Sequence, residues 1–154
     1  MNLTKFKERR YSIDQVGLSR FLTELVQIPS INPPGNEGRV ASTMSNKLET
    51  LGFKTQIVEA APGRPNVIGV LPGNGHGPTL LLNGHMDVQP PGNRWTHDPF
   101  AATLKNGILY GQGAMDMKAG LAAIVYALDG LKRANQTLAG DIIVTAVADE
   151  VCGG

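Results

Sequence analysis

The chain has 154 residues, of which 42% are hydrophobic and 18% charged. That is the length of one ordinary domain with apolar residues enough for a packed core, and it excludes wholesale disorder. A net charge of +1 gives no electrostatic footprint for nucleic acid or an anionic membrane, and the single cysteine, Cys152, excludes an intramolecular disulfide and an all-cysteine zinc site.

In chain order, residues 1–10 are polar and basic with no apolar segment behind them, so no secretory signal is expected. The longest apolar run, 121–128, is far short of the roughly 20 residues of a membrane-crossing helix. The expected setting is soluble and cytoplasmic. Ser12, with Gln15 three residues on, reads as a capping box that opens a first helix. Leu18, Phe21, Leu22, Leu25 and Val26 follow at helical spacing, and Pro29 stops the run. Residues 29–36, rich in proline, form a rigid loop. A second helix fits 37–51, with Val40, Met44, Leu48 and Leu51 on one face and Gly52 at its end.

Strands are predicted at 54–59, 66–71 and 79–83, separated by short Gly/Pro turns. Residues 84–113 read as mostly loop, with a brief strand at 108–110. A third helix is predicted from about Met117 to Arg133, and 140–148 reads as a buried strand rich in Ile and Val. Helices alternating with strands make an α/β chain around a largely buried sheet. The chain stops shortly after that last strand, where ligand sites of open α/β sheets lie, so it is expected to be cut off within a site.

Three short constellations carry possible chemistry. Gly84-His85-Met86-Asp87 follows a strand, and side chains two apart in extended chain share a face. Asp87 could therefore orient the His85 ring, as a carboxylate often does behind a metal-binding imidazole; the alternative is an incidental polar pair. Asp116, in Gly111-Gln112-Gly113-Ala114-Met115-Asp116-Met117-Lys118-Ala119-Gly120, sits where a helix start favours negative charge, and a plain cap is the alternative. Asp149-Glu150 lies past the last strand, where a carboxylate suits metal binding or general-base work; a solvated acidic turn is the alternative.

One imidazole with several carboxylates suits zinc, cobalt or manganese. Other candidates carry less. Ser30, Ser42 and Ser45 lack a nucleophile-elbow context. His76 reads as solvated, His97 as packing beside Trp95 and Phe100, and Cys152 as inert. A dinucleotide fingerprint lacks its third glycine, and Lys118 lacks the Ser/Thr and glycine spacing of a phosphate loop.

These motifs in this order resemble the N-terminal half of the catalytic domain of the co-catalytic zinc peptidase family. That family includes acetylornithine deacetylase, succinyl-diaminopimelate desuccinylase, carboxypeptidase G, aminoacylase and the carnosine dipeptidases. The resemblance runs from Phe21 to Gly154. It rests on Pro29-Ser30-Ile31-Asn32-Pro33-Pro34-Gly35-Asn36-Glu37, Gly84-His85-Met86-Asp87-Val88-Gln89-Pro90, Trp95 with Asp98-Pro99-Phe100, and the Gly111–Gly120 stretch.

The resemblance implies a mixed sheet with flanking helices, a truncated zinc-exopeptidase-like domain over 1–154, and no lid (dimerisation) domain. It implies two divalent metal ions, zinc or else cobalt or manganese. His85 would bind one of them and Asp116 would bridge both, with a cis peptide to Met117. Asp87 would buttress His85. Glu150 would be the general base for a metal-bridging water that attacks an amide or peptide carbonyl. The implied partner is a small N-acyl amino acid or peptide, with a homodimer in a full-length form.

The chain departs from the family pattern at Val151, where a second glutamate serves as a metal ligand. Either that ligand is lost or one glutamate is deleted. Gln112 stands where arginine is common and Ala119 where glycine is common. Two functions follow: a metal-dependent amidohydrolase or peptidase, or a truncated non-catalytic fragment or pseudoenzyme without a complete metal site.

Overall fold

A computed structural model describes residues 12–154. The expectation of no secretory signal falls on 1–10, outside the described residues. The first helix, α1 (Gln15–Val26), is capped by Asp14 and not by Ser12: the Asp14 carboxylate accepts from Gly17 N at 2.9 Å. Asp14 directly precedes the first turn, so its short side chain reaches a free amide two residues into the helix, which Ser12 cannot. Phe21, Leu25 and Val26 are its buried face.

The second helix, α2 (Gly38–Thr50), begins one residue later than predicted, with Glu37 as its cap residue. Val40, Met44 and Leu48 are fully buried, as their spacing requires. Two strands follow as an antiparallel pair, β1 (Lys54–Ala61) and β2 (Arg64–Leu71). Next come β3 (Leu80–His85), a small hairpin of β4 (Thr103–Lys105) and β5 (Ile108–Tyr110), α3 (Ala119–Arg133) and β6 (Ile142–Val147). Strand β4 is too short to show alternation, but the Asn106-Gly107 turn, both residues at positive φ, marks the hairpin.

Helix α3 starts two residues later than its periodicity suggests. A wide turn, Ala114–Lys118, precedes it, and Asp116 and Met117 in that turn have non-helical backbone angles. The Asp116–Met117 peptide is cis.

The main sheet has the order β1-β2-β6-β3. Strand β6 pairs antiparallel with β2 and parallel with β3, in register from Leu80↔Ile142 to His85↔Val147. The sheet is therefore mixed, with helices flanking it. Burial is one-sided and falls short of the largely buried sheet expected. Val67, Val144 and Ala146 are sealed against a core with Leu25, Met44, Leu48, Leu121 and Val125. On the opposite face Val58, Ile68 and Leu81 stand in the open, because no helix of the described residues covers it. The parallel pairing of β3 with β6 sends both strands out at the same edge of the sheet. That edge carries the site.

Candidate metal and proton-transfer site

His85 ends β3 and Asp87 follows it, while Asp149 and Glu150 follow the end of β6. In-register parallel pairing (His85↔Val147) makes these two loops neighbours. The third contributor, Asp116, arrives on the turn before α3. Gly84 admits that turn: a side chain there would lie 2.8 Å from both Leu121 Cδ2 and Met117 Cε. Gly113 does likewise on the far side, at φ 74 and against Val88 Cγ1.

His85 is buried, with each ring nitrogen in a distinct environment. Nδ1 lies 3.0 Å from the Asp87 carbonyl and 3.3 Å from Asp87 Oδ1. Both are acceptors, so Nδ1 carries a proton in either charge state of the ring. Nε2 faces Asp116 Oδ1 at 3.0 Å and Glu150 Oε2 at 3.5 Å. Burial opposes charge on the ring, but the Asp116 carboxylate, the Asp87 carbonyl and the charges of both aspartates outweigh it and hold the His85 pKa above its usual value. Asp116 and Glu150 are both largely exposed, so solvent reaches them.

Asp87 is fully buried and saturated with donors. Its Oδ1 accepts from Glu150 N at 3.3 Å; its Oδ2 accepts from Val151 N at 3.1 Å and Asn32 Nδ2 at 2.8 Å. The same Asn32 amide donates to Asp149 Oδ1 at 2.9 Å, which also accepts from Arg64 Nη2 at 2.9 Å. Those two donors, Asn32 first, hold the Asp149 carboxyl below its usual pKa. Arg64 in turn binds buried Glu37 through Nε and Nη2. Behind Asp116, buried Lys118 donates to the Ile28 carbonyl at 2.7 Å, and burial lowers its pKa to about 8.

The structure thus brings together His85, Asp87, Asp116 and Glu150, the four residues singled out in the sequence. It leaves His76 exposed, and His97 exposed with its ring edge-on to Tyr110 at 5.9 Å. The solvated reading suits His76; the packing role read for His97 reduces to that one aromatic contact. Cys152 is free and exposed. Val151 joins through its backbone amide alone. Asn32, Arg64 and Glu37 escaped sequence reasoning as site residues, because their partners lie 27 to 117 positions away. A cavity of about 450 Å³ near Phe53, Leu71 and Ile142 lies at the other end of β6 and takes no part.

The donor chemistry fits a divalent metal: an imidazole nitrogen beside a carboxylate, with an acceptor behind the ring. Two ligands of one tetrahedral zinc lie roughly 3.3 Å apart, close to the 3.0 Å between His85 Nε2 and Asp116 Oδ1. Among the described residues, no group of three or more His, Cys, Asp or Glu side chains is arranged to hold a metal ion. His85 and Asp116 are thus two donors, fewer than the three protein ligands usual at a catalytic zinc.

The family model for Peptidase family M20/M25/M40 matches residues 81–154. The chain is 38% identical over 125 residues to the N-formyl-4-amino-5-aminomethyl-2-methylpyrimidine deformylase of Bacillus subtilis, covering 79% of this chain and 29% of the relative. It is 38% identical over 133 residues to the "probable succinyl-diaminopimelate desuccinylase" of Staphylococcus aureus, covering 85% of this chain and 32% of the relative. Among solved structures, an M20 family metallo-carboxypeptidase from Sulfolobus solfataricus superposes with a TM-score of 0.76 at 31% identity, over 84% of this chain and 30% of that one. The chain therefore spans about a third of the length of these relatives.

Proposed function

We infer from this chain's place in the peptidase family M20/M25/M40, to which it belongs, that it contributes to a metal-dependent hydrolase of amide or peptide bonds. Its substrate class would be N-acyl amino acids or small peptides, in keeping with the deformylase, desuccinylase and carboxypeptidase among its relatives. The observation that carries the reading is the convergence of Asp116 and Glu150 on Nε2 of His85, with Asp87 behind the ring.

His85 Nε2 and Asp116 would hold a divalent metal, zinc or else cobalt or manganese, as part of a two-metal centre. When bound, the metal polarises the substrate carbonyl and makes water more acidic. The remaining roles belong to the chain itself. Asp87 keeps the His85 proton on Nδ1 and holds the orientation of the ring. Glu150, exposed and on a turn pinned to Asp87, takes a proton from the attacking water at a carboxylate oxygen. It then returns that proton to the leaving amine, which departs as a neutral group. The alternative, a non-catalytic relative, draws on Val151 in place of a second carboxylate and on the count of two ligands.

One experiment separates them. The full protein is incubated with a panel of N-acyl amino acids and dipeptides in the presence of zinc, cobalt or manganese. Metal-dependent release of amine that disappears in Glu150→Ala, with metal uptake retained, supports the hydrolase. Folded protein that takes up metal and turns over none of the panel supports the alternative.

A further inference from the structure

We propose that Asn32 is a positioning residue that sets the general base and the buttress of the metal-binding histidine together, by bridging Asp87 to Asp149. This inference rests on the hydrolase reading above for its kinetic consequence, but not for its geometry.

Asn32 is 2% exposed and lies in the proline-rich loop, far in sequence from both its partners. Its backbone is held rigidly: Asn32 N donates to Val88 O at 2.8 Å, and Val88 N donates to Ser30 O at 2.9 Å. The loop therefore runs beside the chain that continues from β3. From that fixed base the side-chain Nδ2 has two hydrogens and two acceptors, Asp87 Oδ2 at 2.8 Å and Asp149 Oδ1 at 2.9 Å. Carboxylates cannot donate, so the amide faces them with its nitrogen and not its oxygen. A neutral double donor satisfies two anions without adding charge of its own.

What this bridge controls is the turn that carries Glu150. Asp149 precedes Glu150, has left-handed backbone at φ 72, and is partly exposed, so burial does not hold it. Its side-chain partners are Asn32 and Arg64. From the other side, Glu150 N and Val151 N are tied to Asp87. The Asn32 amide therefore joins the two anchors of that turn. Release of the amide leaves the Asp149 side chain held by Arg64 alone, and lets Asp87 rotate against His85 Nδ1 and the two amides at once.

The test uses the full protein with Asn32→Ala, Asp149→Gly and the double variant. Glycine keeps the left-handed backbone of Asp149 without strain, and a partly exposed site tolerates it. Two readouts are taken: kcat and KM on an N-acyl amino acid, and amide hydrogen exchange of Glu150 and Val151 in metal-free protein. Misplacement of a reacting group by about 1 Å costs on the order of 100-fold in rate. The expected result for each single variant is a kcat lowered about 10- to 100-fold with KM within about threefold. Exchange at Glu150 and Val151 accelerates while β6 amides keep their protection. The double variant is no worse than the poorer single, because both residues act through one turn.

The proposal is overturned by folded Asn32→Ala with unchanged exchange at those two amides, or by a kcat loss that adds fully between the two sites. Should Asn32→Ala fail to fold, Asp149→Gly decides by the same exchange criterion. Should the unmodified protein hydrolyse nothing in the presence of metal, the hydrolase reading fails, and the exchange data still decide the bridge.

Discussion

Arg64 grips Glu37 with two edges of its guanidinium, Nε on Oε2 and Nη2 on Oε1, both at 2.9 Å. Glu37 is fully buried at the start of α2, and Arg64 opens β2. The pair thus joins helix to sheet beneath the site. Removal of one partner from a buried pair leaves an uncompensated charge. Arg64→Ala is expected to lower unfolding free energy by about 3–5 kcal/mol. The double variant Glu37→Gln with Arg64→Met is expected to lose less than Arg64→Ala alone. Urea unfolding of the three proteins measures this, and equal losses would contradict it.

Asp87 receives three hydrogen bonds and faces the imidazole, so its loss loosens His85, the proposed metal ligand. Asp87→Ala is expected to weaken zinc binding about 10- to 100-fold, as the loss of an acceptor behind a ligating imidazole commonly does. Competition with a chromophoric chelator reads the affinity directly. His85→Ala supplies the reference for loss of the ligand itself, and an Asp87→Ala protein with unaltered affinity would refute the buttress.

The close approach of the Asp116 turn to β3 depends on Gly84. A valine there meets Leu121 and Met117, and overpacking of this kind costs about 1–3 kcal/mol. Gly84→Val is expected to show that loss in thermal unfolding. It should also weaken zinc binding, since relief of the clash moves Asp116 away from His85. Unaltered metal affinity in the folded variant would show that Asp116 is held in another way.

The Asp149 carboxyl titrates below its usual range in the folded chain because Asn32 and Arg64 favour its anion. A depressed folded-state pKa contributes stability above the unfolded carboxylate value of about 3.9, and that contribution disappears as pH falls through the folded value. Asp149→Asn is therefore expected to be less stable than the unmodified chain at neutral pH. The gap should narrow as pH drops below about 4. Denaturant midpoints of both proteins between neutral and acid pH give the comparison, and a gap that widens in acid would reverse the assignment.

Much of this was legible in the amino-acid order. The helical spacing of Phe21, Leu25 and Val26, and of Val40, Met44 and Leu48, marks buried faces that the structure keeps. Helix ends were less legible. Ser12 and Asp14 are both capping residues, and the choice between them follows from which one directly precedes the first turn. Met117 has the spacing of α3 yet lies outside it, because the turn that delivers Asp116 interrupts the helix.

The sequence by itself determined the chemical types at the site and their attachment to strand ends, since His85, Asp87, Asp116 and Glu150 each sit beside a local signal. The tertiary structure decided what these residues face. Parallel pairing of β3 with β6 joins residues more than sixty positions apart, and the loop at Asn32 reaches Asp149 across 117. Strand order and pairing depend on contacts whose partners are remote in the chain, so periodicity, which reports on neighbours within a turn or two, carries no trace of them. The roles of Asn32, Arg64 and Glu37, and the one-sided burial of the sheet, arise at that level.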